Sequence, residues 1–426
     1  MFIRFARALG AAHLALAAAL ASPIVLAQAP DAGEPLSLRA AIERTLARNP
    51  ELAGFGYRLR AQNARVEAAY LRPPLELRGD IEDFLGTGET SGFDSAEATF
   101  SIARVVELGD KRDYRSAAAE ASSSLLEIER AGAELDVLAE VTRRFIHVAS
   151  DQEQLRATER ATELARETVQ TSEARVAAAR APELELRRAR VTLARAEIDQ
   201  EHAEHELLAS RRALAAMWGD REAGFGRIEA DLYALPAAES FETLTARLAR
   251  NPDFLRFASA ARVRDAEIRL AESRARSDLE LSAGVRRLRD TDDYALVFGI
   301  AMPLGRAARA ESSVAEAEAL RGLNDADSEA HGIRIEAQLF AIYQELRHAL
   351  TEAETLRSGV LPEMEAALNA TREAFDQGRY SYLEWVDAQR ELIDVERALI
   401  EASANAHLYR AEVERLTGEP LSTGNP

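Results

Sequence analysis

His202 and His205, in the stretch EHAEHE with Glu201 and Glu204 beside them, are residues of this sequence whose types and spacing could do chemistry. Three apart on a predicted helix, two imidazoles could chelate a metal ion. The zincin spacing HExxH is absent, and alternation with glutamates reads better as a solvated helix face. Gly54 and Gly56 in AGFGYR offer nothing for phosphate, because they follow a helix and no Lys-Ser/Thr pair follows them. No Ser/His/Asp arrangement stands out. The chain has no cysteine, which removes a thiol nucleophile, a thiolate metal site and any disulfide framework. The residues thus predict no enzyme, no cofactor and no fixed metal site. A formal charge of -19 argues against nucleic acid and favours a soluble acidic surface or a cation-conducting one.

The elements that would position any site come in two rounds. LARNPEL at Leu46 to Leu52 returns as LARNPDF at Leu248 to Phe254, so the 426 residues read as two copies of one unit. Residues 1–29 read as a signal peptide: Arg4 and Arg7 precede an apolar run that ends in Ala27-Gln28-Ala29. Pro23 interrupts that run, which fits a retained anchor less well.

Residues 30–222 form the first repeat: a helix capped by Ser37 and restarted at Pro50, a β-hairpin at about 75–105, a long helix over 110–180 and a return helix over 182–218. A linker spans 223–238. The second repeat, 239–418, has its hairpin at about 278–302, its long helix over 305–376 and its return helix over 379–417, before a tail at 419–426. Leu184-Glu185 aligns with Leu383-Glu384, Ala189 with Ala388 and Gly219 with Gly418 at one constant offset. In the first long helix, Leu125, Ile128, Leu135, Leu138, Val141, Phe145, Val148 and Leu155 keep the steps of a coiled-coil seam. Some 70 residues at about 1.5 Å each make a rod of roughly 100 Å, longer than a globular core needs.

In DLELSAGVRR and YALVFGIAM, apolar side chains share one face: Leu279, Leu281, Ala283 and Val285, then Tyr294, Leu296, Phe298, Ile300 and Met302. The first-round strands alternate less cleanly, since Asp80 and Asp83 fall on different faces of a strand read over 75–84. Such strands either pack on the helices as a soluble hairpin or cross a bilayer at a tilt. Arithmetic bears on the choice. Closed membrane barrels begin at about eight strands and an open edge cannot face lipid, so four strands that span must be completed by other chains.

This order of elements resembles the TolC family of outer membrane efflux proteins, in particular its CzcC-like branch serving heavy-metal exporters. The carrying residues are LSLRAAIERTLARNPEL, ELGDKR at Glu107 to Arg112, MPLGRAAR at Met302 to Arg309 and DQGRYSYLEWVDAQ at Asp376 to Gln389. The resemblance implies a mainly α fold with a small β part, in which three chains close a 12-stranded outer-membrane β-barrel continued by a periplasmic α-helical tunnel. It implies as partners two further chains as a homotrimer, a periplasmic adaptor, an inner-membrane pump of the resistance-nodulation-division class and outer-membrane lipid. Three departures loosen the metal branch more than the fold: Arg104 where relatives commonly have Gln, no Asn-Pro in YLRPPLEL, and no glycine in RAPEL.

In that family, acidic residues one turn apart, just past the second glycine turn, line the periplasmic constriction. They fall here on Glu384 and Asp387, whose spacing puts both carboxylates on one helix face. Three such pairs around one axis would attract cations and repel one another. The plain alternative is that carboxylates near a helix N-terminus complement the helix dipole. Their first-round equivalents are Glu185 and Arg188. The family's turn arginine is replaced by Tyr380, with Arg379 next to it. Gly378 marks the second turn, Pro182 is suited to the first turn of the first return helix, and Pro362 is expected to kink the second rod. Trp218 and Trp385 read as packing residues.

The resemblance therefore implies an outer-membrane exit duct of a tripartite efflux system, passive and gated at the periplasmic end, whose cargo could be heavy-metal cations, drugs or polypeptides. Its rival is a periplasmic coiled-coil spacer without a pore.

Overall fold

The computed structural model describes residues 35–418. The expected signal peptide and the C-terminal tail lie outside the described residues. β1 (Leu36–Ser37) runs into α1 (Leu38–Arg48), with the Ser37 hydroxyl accepting from Ala40 N–H at 3.3 Å. α2 (Pro50–Tyr70) follows at once: Pro50 occupies its first turn, and the Asn49 side chain accepts from Glu51 and Leu52 N–H at 2.9 and 3.1 Å. β2 (Leu75–Glu82) and β3 (Glu97–Val106) form the first hairpin, and α3 (Lys111–Ala177) is the first rod. α4 (Glu183–Ala215) returns along it to Gly219. Pro182 stands one residue outside the first helical turn, as the cap, because its ψ of 149° is still extended.

A crossing segment carries β4 (Ile228–Glu229), which pairs in parallel with β1. The second round is α5 (Phe241–Arg247), α6 (Pro252–Ser273), β5 (Leu279–Leu288), β6 (Asp293–Ala301), α7 (Arg306–Thr355), α8 (Leu361–Asp376) and α9 (Tyr382–Thr417). The second rod is thus not continuous. A five-residue π-helical segment, Leu356–Val360, separates α7 from α8, with Pro362 in the first turn of α8. Pro362 lacks the N–H that would continue the α ladder, and the wider π turn absorbs the mismatch.

The repeated LARNP phrase has a structural reason. Asn49 Nδ2 donates to Met217 O at the end of the first return helix, at 2.9 Å, while its Oδ1 caps α2. Asn251 does the same in round two, donating to Arg415 O and Leu416 O at 2.8 Å each and capping Asp253 N–H at 2.8 Å. One buried asparagine therefore closes each round by joining the start of one helix to the end of another. Gly418, at φ +67°, must be glycine-like here, since an added Cβ would sit 3.0 Å from Asn251 Cα.

The four hairpin strands form one antiparallel sheet in the order β2-β3-β5-β6, so β3 and β5 join the two rounds. Next to the sheet, helices contact one another in the order α2, α3, α6, α7; farther away the order is α4, α3, α9, α8. The largest core lies where α1, the middle of α3 and the upper part of α9 meet the β1/β4 crossing, around Phe145, Ile146, Leu214 and Trp218. A smaller core at the helical turns holds Phe375, Tyr382 and Trp385.

Candidate functional site: a two-faced sheet and a coiled-coil tip

Register decides what each face of the sheet is. Leu77 pairs with Ile102, Phe100 with Val285, Ala283 with Phe298 and Leu281 with Ile300, so apolar side chains of all four strands share one face. That face is bare: Leu77 is 79% exposed, Phe298 76% and Ile300 75%. Leaving such side chains in water forfeits about 1.5–3 kcal/mol each, so a soluble spacer would have folded the sheet onto its helices. The ten residues of β5 rise about 33 Å and, tilted by about 40°, cover about 25 Å, the height of a barrel's apolar band. Arg104 stands on this face at one end; at the other, Arg287 lies 5.9 Å over the Tyr294 ring. These amphipathic side chains suit the two interfaces of a bilayer.

The opposite face is polar. Arg78 pairs with Glu76 at 2.7 Å and with Glu280 across the sheet; Arg286 reaches Glu97 at 2.5 Å, Thr99 at 3.0 Å and Glu82 at 3.1 Å. The expected fault in first-round alternation disappears, because β2 ends at Glu82 and Asp83 turns away at φ +53°. Within the strand, Leu75, Leu77 and Ile81 face one way and Glu76, Arg78, Asp80 and Glu82 the other.

Sheet and rods are joined by Lys111, the only lysine of the chain. It is 5% exposed, and its Nζ donates to Arg276 O at 2.6 Å and Asp278 Oδ1 at 2.5 Å. A residue of ELGDKR in round one is thereby fastened to the start of the hairpin of round two. Gly109 beside it has φ +81°, and a Cβ there would come within 2.5 Å of the Arg276 side chain.

At the far end the two helical turns are built alike. Gly378 has φ +73°, and Ala179, its first-round counterpart, holds the same left-handed conformation at φ +56°, at a cost of about 1–2 kcal/mol. Glu384 and Asp387 follow on α9, both exposed. Glu384 completes a capping box: its Oε2 accepts from Ser381 N–H at 2.6 Å while the Ser381 hydroxyl accepts from Glu384 N–H at 3.4 Å. These bonds hold the Glu384 carboxyl below its ordinary pKa. Asp387 lies 3.2 Å from Arg390 on its own helix. Both carboxylates stand on one side of the tip, yet each already has a local partner.

Sequence reasoning missed what lies beneath them. Phe375 and Trp385 stack at 4.6 Å, and the Arg175 guanidinium lies 4.3 Å over Phe375 and 3.5 Å from Glu185. The Glu185 side chain is 10% exposed, so the first-round equivalent of Glu384 is a buried ion-pair partner rather than a surface carboxylate. Burial also raises the Tyr382 phenol. Arg175 carried no motif; only the meeting of the two hairpins gives it a role. Elsewhere, His202 and His205 are exposed, His202 lies 3.2 Å from Glu206, and no cluster of three or more His, Cys, Asp or Glu among the described residues could hold a metal ion. Among those residues no helix is long and apolar enough to cross a membrane.

A family model described as outer membrane efflux protein matches residues 41–220. The cobalt-zinc-cadmium resistance protein CzcC of Cupriavidus metallidurans is 29% identical over 392 residues, 91% of each chain. Among solved structures, the outer-membrane channel OprN superposes with a TM-score of 0.75 at 17% identity, covering 90% of both chains. The outer membrane protein VceC from Vibrio cholerae gives a TM-score of 0.71 at 16% identity, covering 90% of this chain and 97% of its own. The two-faced sheet, the paired rods and these likenesses agree: over residues 41–220 the chain matches the outer membrane efflux protein model, it is similar to CzcC along nearly its whole length, and it has the fold of outer-membrane channels with a large periplasmic helical portion.

Proposed function

We propose that three copies of this chain close one barrel and one helical tunnel, forming the exit duct of a tripartite efflux system. One observation carries the reading: the free edges match in every tier. The sheet ends in β2 on one side and β6 on the other; the helices beside it end in α2 and α7, and the lower helices in α4 and α8. Each tier thus offers a round-one edge and a round-two edge, the condition for a head-to-tail interface that closes into a ring. Three sheets of four strands give 12, above the about eight at which membrane barrels begin. The apolar face would then meet lipid and the polar face, with Arg78 and Arg286 held in ion pairs, would line the water path.

The duct does no covalent chemistry and is a passive path. Cargo would be delivered by an inner-membrane pump of the resistance-nodulation-division class through a periplasmic adaptor. The similarity to a cobalt-zinc-cadmium resistance protein supports divalent metal cations as that cargo. Glu384 and Asp387 form the gate in this reading: three copies of each, converging on the axis at the tunnel end, set closure and cation preference. Their exposure on one side of the tip supports it, because both carboxylates are free to face the axis of the ring. Replacing both, Glu384→Ala with Asp387→Ala, is expected to raise the leak conductance of the purified channel in planar bilayers several-fold and to weaken its block by multivalent cations. Conductance equal to wild type would remove the gate and leave the duct.

A further inference from the structure

The lower free edge of the chain carries a pattern that the single protomer does not use. On α4, Leu184, Val191 and Ile198 recur at seven-residue steps and are 56%, 55% and 64% exposed. Such a stripe is the knob row of a coiled-coil seam. Neither neighbour in the chain can cover it. α4 meets α3 through Glu197 with Arg166, Arg190 with Glu173 and the Ala196 carbonyl, which accepts from Thr162, and its flank with Thr192, Arg195 and Asp199 faces α9, where Arg397 lies 3.6 Å from Asp199. The stripe therefore points away from both.

The opposite free edge, α8, is its complement in shape. Leu361, Leu368 and Phe375 turn inward, while Glu365 and Arg372 lie within 3.8 Å and 3.3 Å of Arg160 and Glu167 on α3. What remains outward on the far flank is small, Ala366, Ala367 and Ala370, bordered by Glu363 and Glu373. Alanines let a facing helix approach to about 8 Å and leave holes that larger side chains fill.

We infer that Val191, the middle of this row, seats on the Ala366/Ala367/Ala370 face of the next protomer while Leu184 and Ile198 run on along the same α8 about 10 Å below and above it, making an apolar seam between subunits along the lower tunnel. The inference rests on the ring of three copies proposed above and names its contact. Height follows from the tip core, where Ala189 of α4 and Leu368 of α8 pack in the same cluster. Val191 and Ala367 are each within about 3 Å of that level along the helix axes. Arg187, now paired with Glu183 on its own helix at 2.7 Å, comes within about one helical turn of Glu373 of the neighbour, a distance its long side chain can reach, so charge agrees with shape at the seam's border. Inside one chain the two rounds meet through apolar clusters and through ion pairs: Arg160 with Glu365 and Glu396, Arg372 with Glu167, Arg397 with Asp199.

The absence of cysteine makes the test clean. The full chain in outer membranes is given Val191→Cys with Ala367→Cys, and separately Val191→Cys with Ala370→Cys to allow for one turn of register. Copper-phenanthroline oxidation joins cysteines whose Cα atoms lie within about 4.4–6.8 Å. The expected result is covalent dimers and trimers from at least one double variant on non-reducing gels. Each single variant stays monomeric, because a head-to-tail seam never brings one position against itself. Intact trimers by native mass spectrometry with no covalent product from either pair would overturn the seam and leave the ring standing. So would a Val191→Cys single variant that dimerises with itself. Absence of any trimer would instead overturn the ring.

Discussion

At the residue scale, His407 shows how burial alone gives a side chain a pH dependence. It is 5% exposed on α9, and its Nε2 lies 3.1 Å from Leu232 O in the crossing segment. A carbonyl can only accept, so Nε2 carries a proton and donates it. Burial lowers its pKa below the ordinary 6.5; the bond to Leu232 O opposes this, Arg410 adds to it and Asp231 opposes it weakly. Protons are then bound more readily by the unfolded chain, so this group's stabilisation is present above pH 6.5 and lost as pH falls through the folded value. His407→Gln, which can still donate to Leu232 O, should flatten the decline in thermal stability between about pH 6.5 and 5. A slope identical to wild type over that range would show that His407 does not contribute to it. Nothing in the sequence singled out His407. The histidines that attracted notice, His202 and His205, sit on a wet surface, because residue type says nothing about burial without the fold.

Among elements, the closures of the two rounds were half legible. Asn49 and Asn251 stand in the repeated phrase where a cap is expected, but the carbonyls they hold lie about 165 residues away in the chain. Asn251→Ala removes the cap and leaves buried carbonyls at the end of α9 without a donor, an expected loss of about 2–3 kcal/mol. Asn251→Asp, keeping the cap and losing the donor, should recover part of it. Equal stability of both variants and wild type in denaturant titrations would show the closure to be inert.

The second rod tells a related story. Pro362 announced a kink, yet the break takes the form of a π segment that Arg357 ties to Tyr233 O of the crossing segment at 2.7 Å. We propose this as the pivot on which α8 and α9 bend, with Gly378 and Pro182 shaping the turns they carry. Pro362→Ala restores the missing donor and should straighten the rod, lowering the frequency of channel openings in bilayers. Unchanged openings and transport would dismiss the pivot.

For the whole molecule the decisive quantity is the bare apolar face. Phe298 lies near the middle of β6, so Phe298→Arg puts a charge near the bilayer midplane at a cost of about 2–4 kcal/mol. Outer-membrane yield and heat resistance of the oligomer in detergent should both fall, whereas Val297→Arg on the polar face should spare them. Equal losses from the two would contradict the facing derived from the strand register.

By itself the sequence determined what depends on local order: two rounds, rods of coiled-coil period, alternating strands, turns at Gly219, Gly378 and Gly418, and too few strands to seal against lipid. Periodicity and turn chemistry act over a few residues, so they can be read without coordinates. Register, neighbours and burial needed tertiary structure. Only the end of β2 at Glu82 and its register with β3 showed that the first hairpin alternates as cleanly as the second. Likewise, only the meeting of α3, α4, α8 and α9 turned Glu185 inward while Glu384 stayed outside. Such outcomes are set by contacts between residues distant in the chain, where many pairings satisfy the same local pattern and packing selects one.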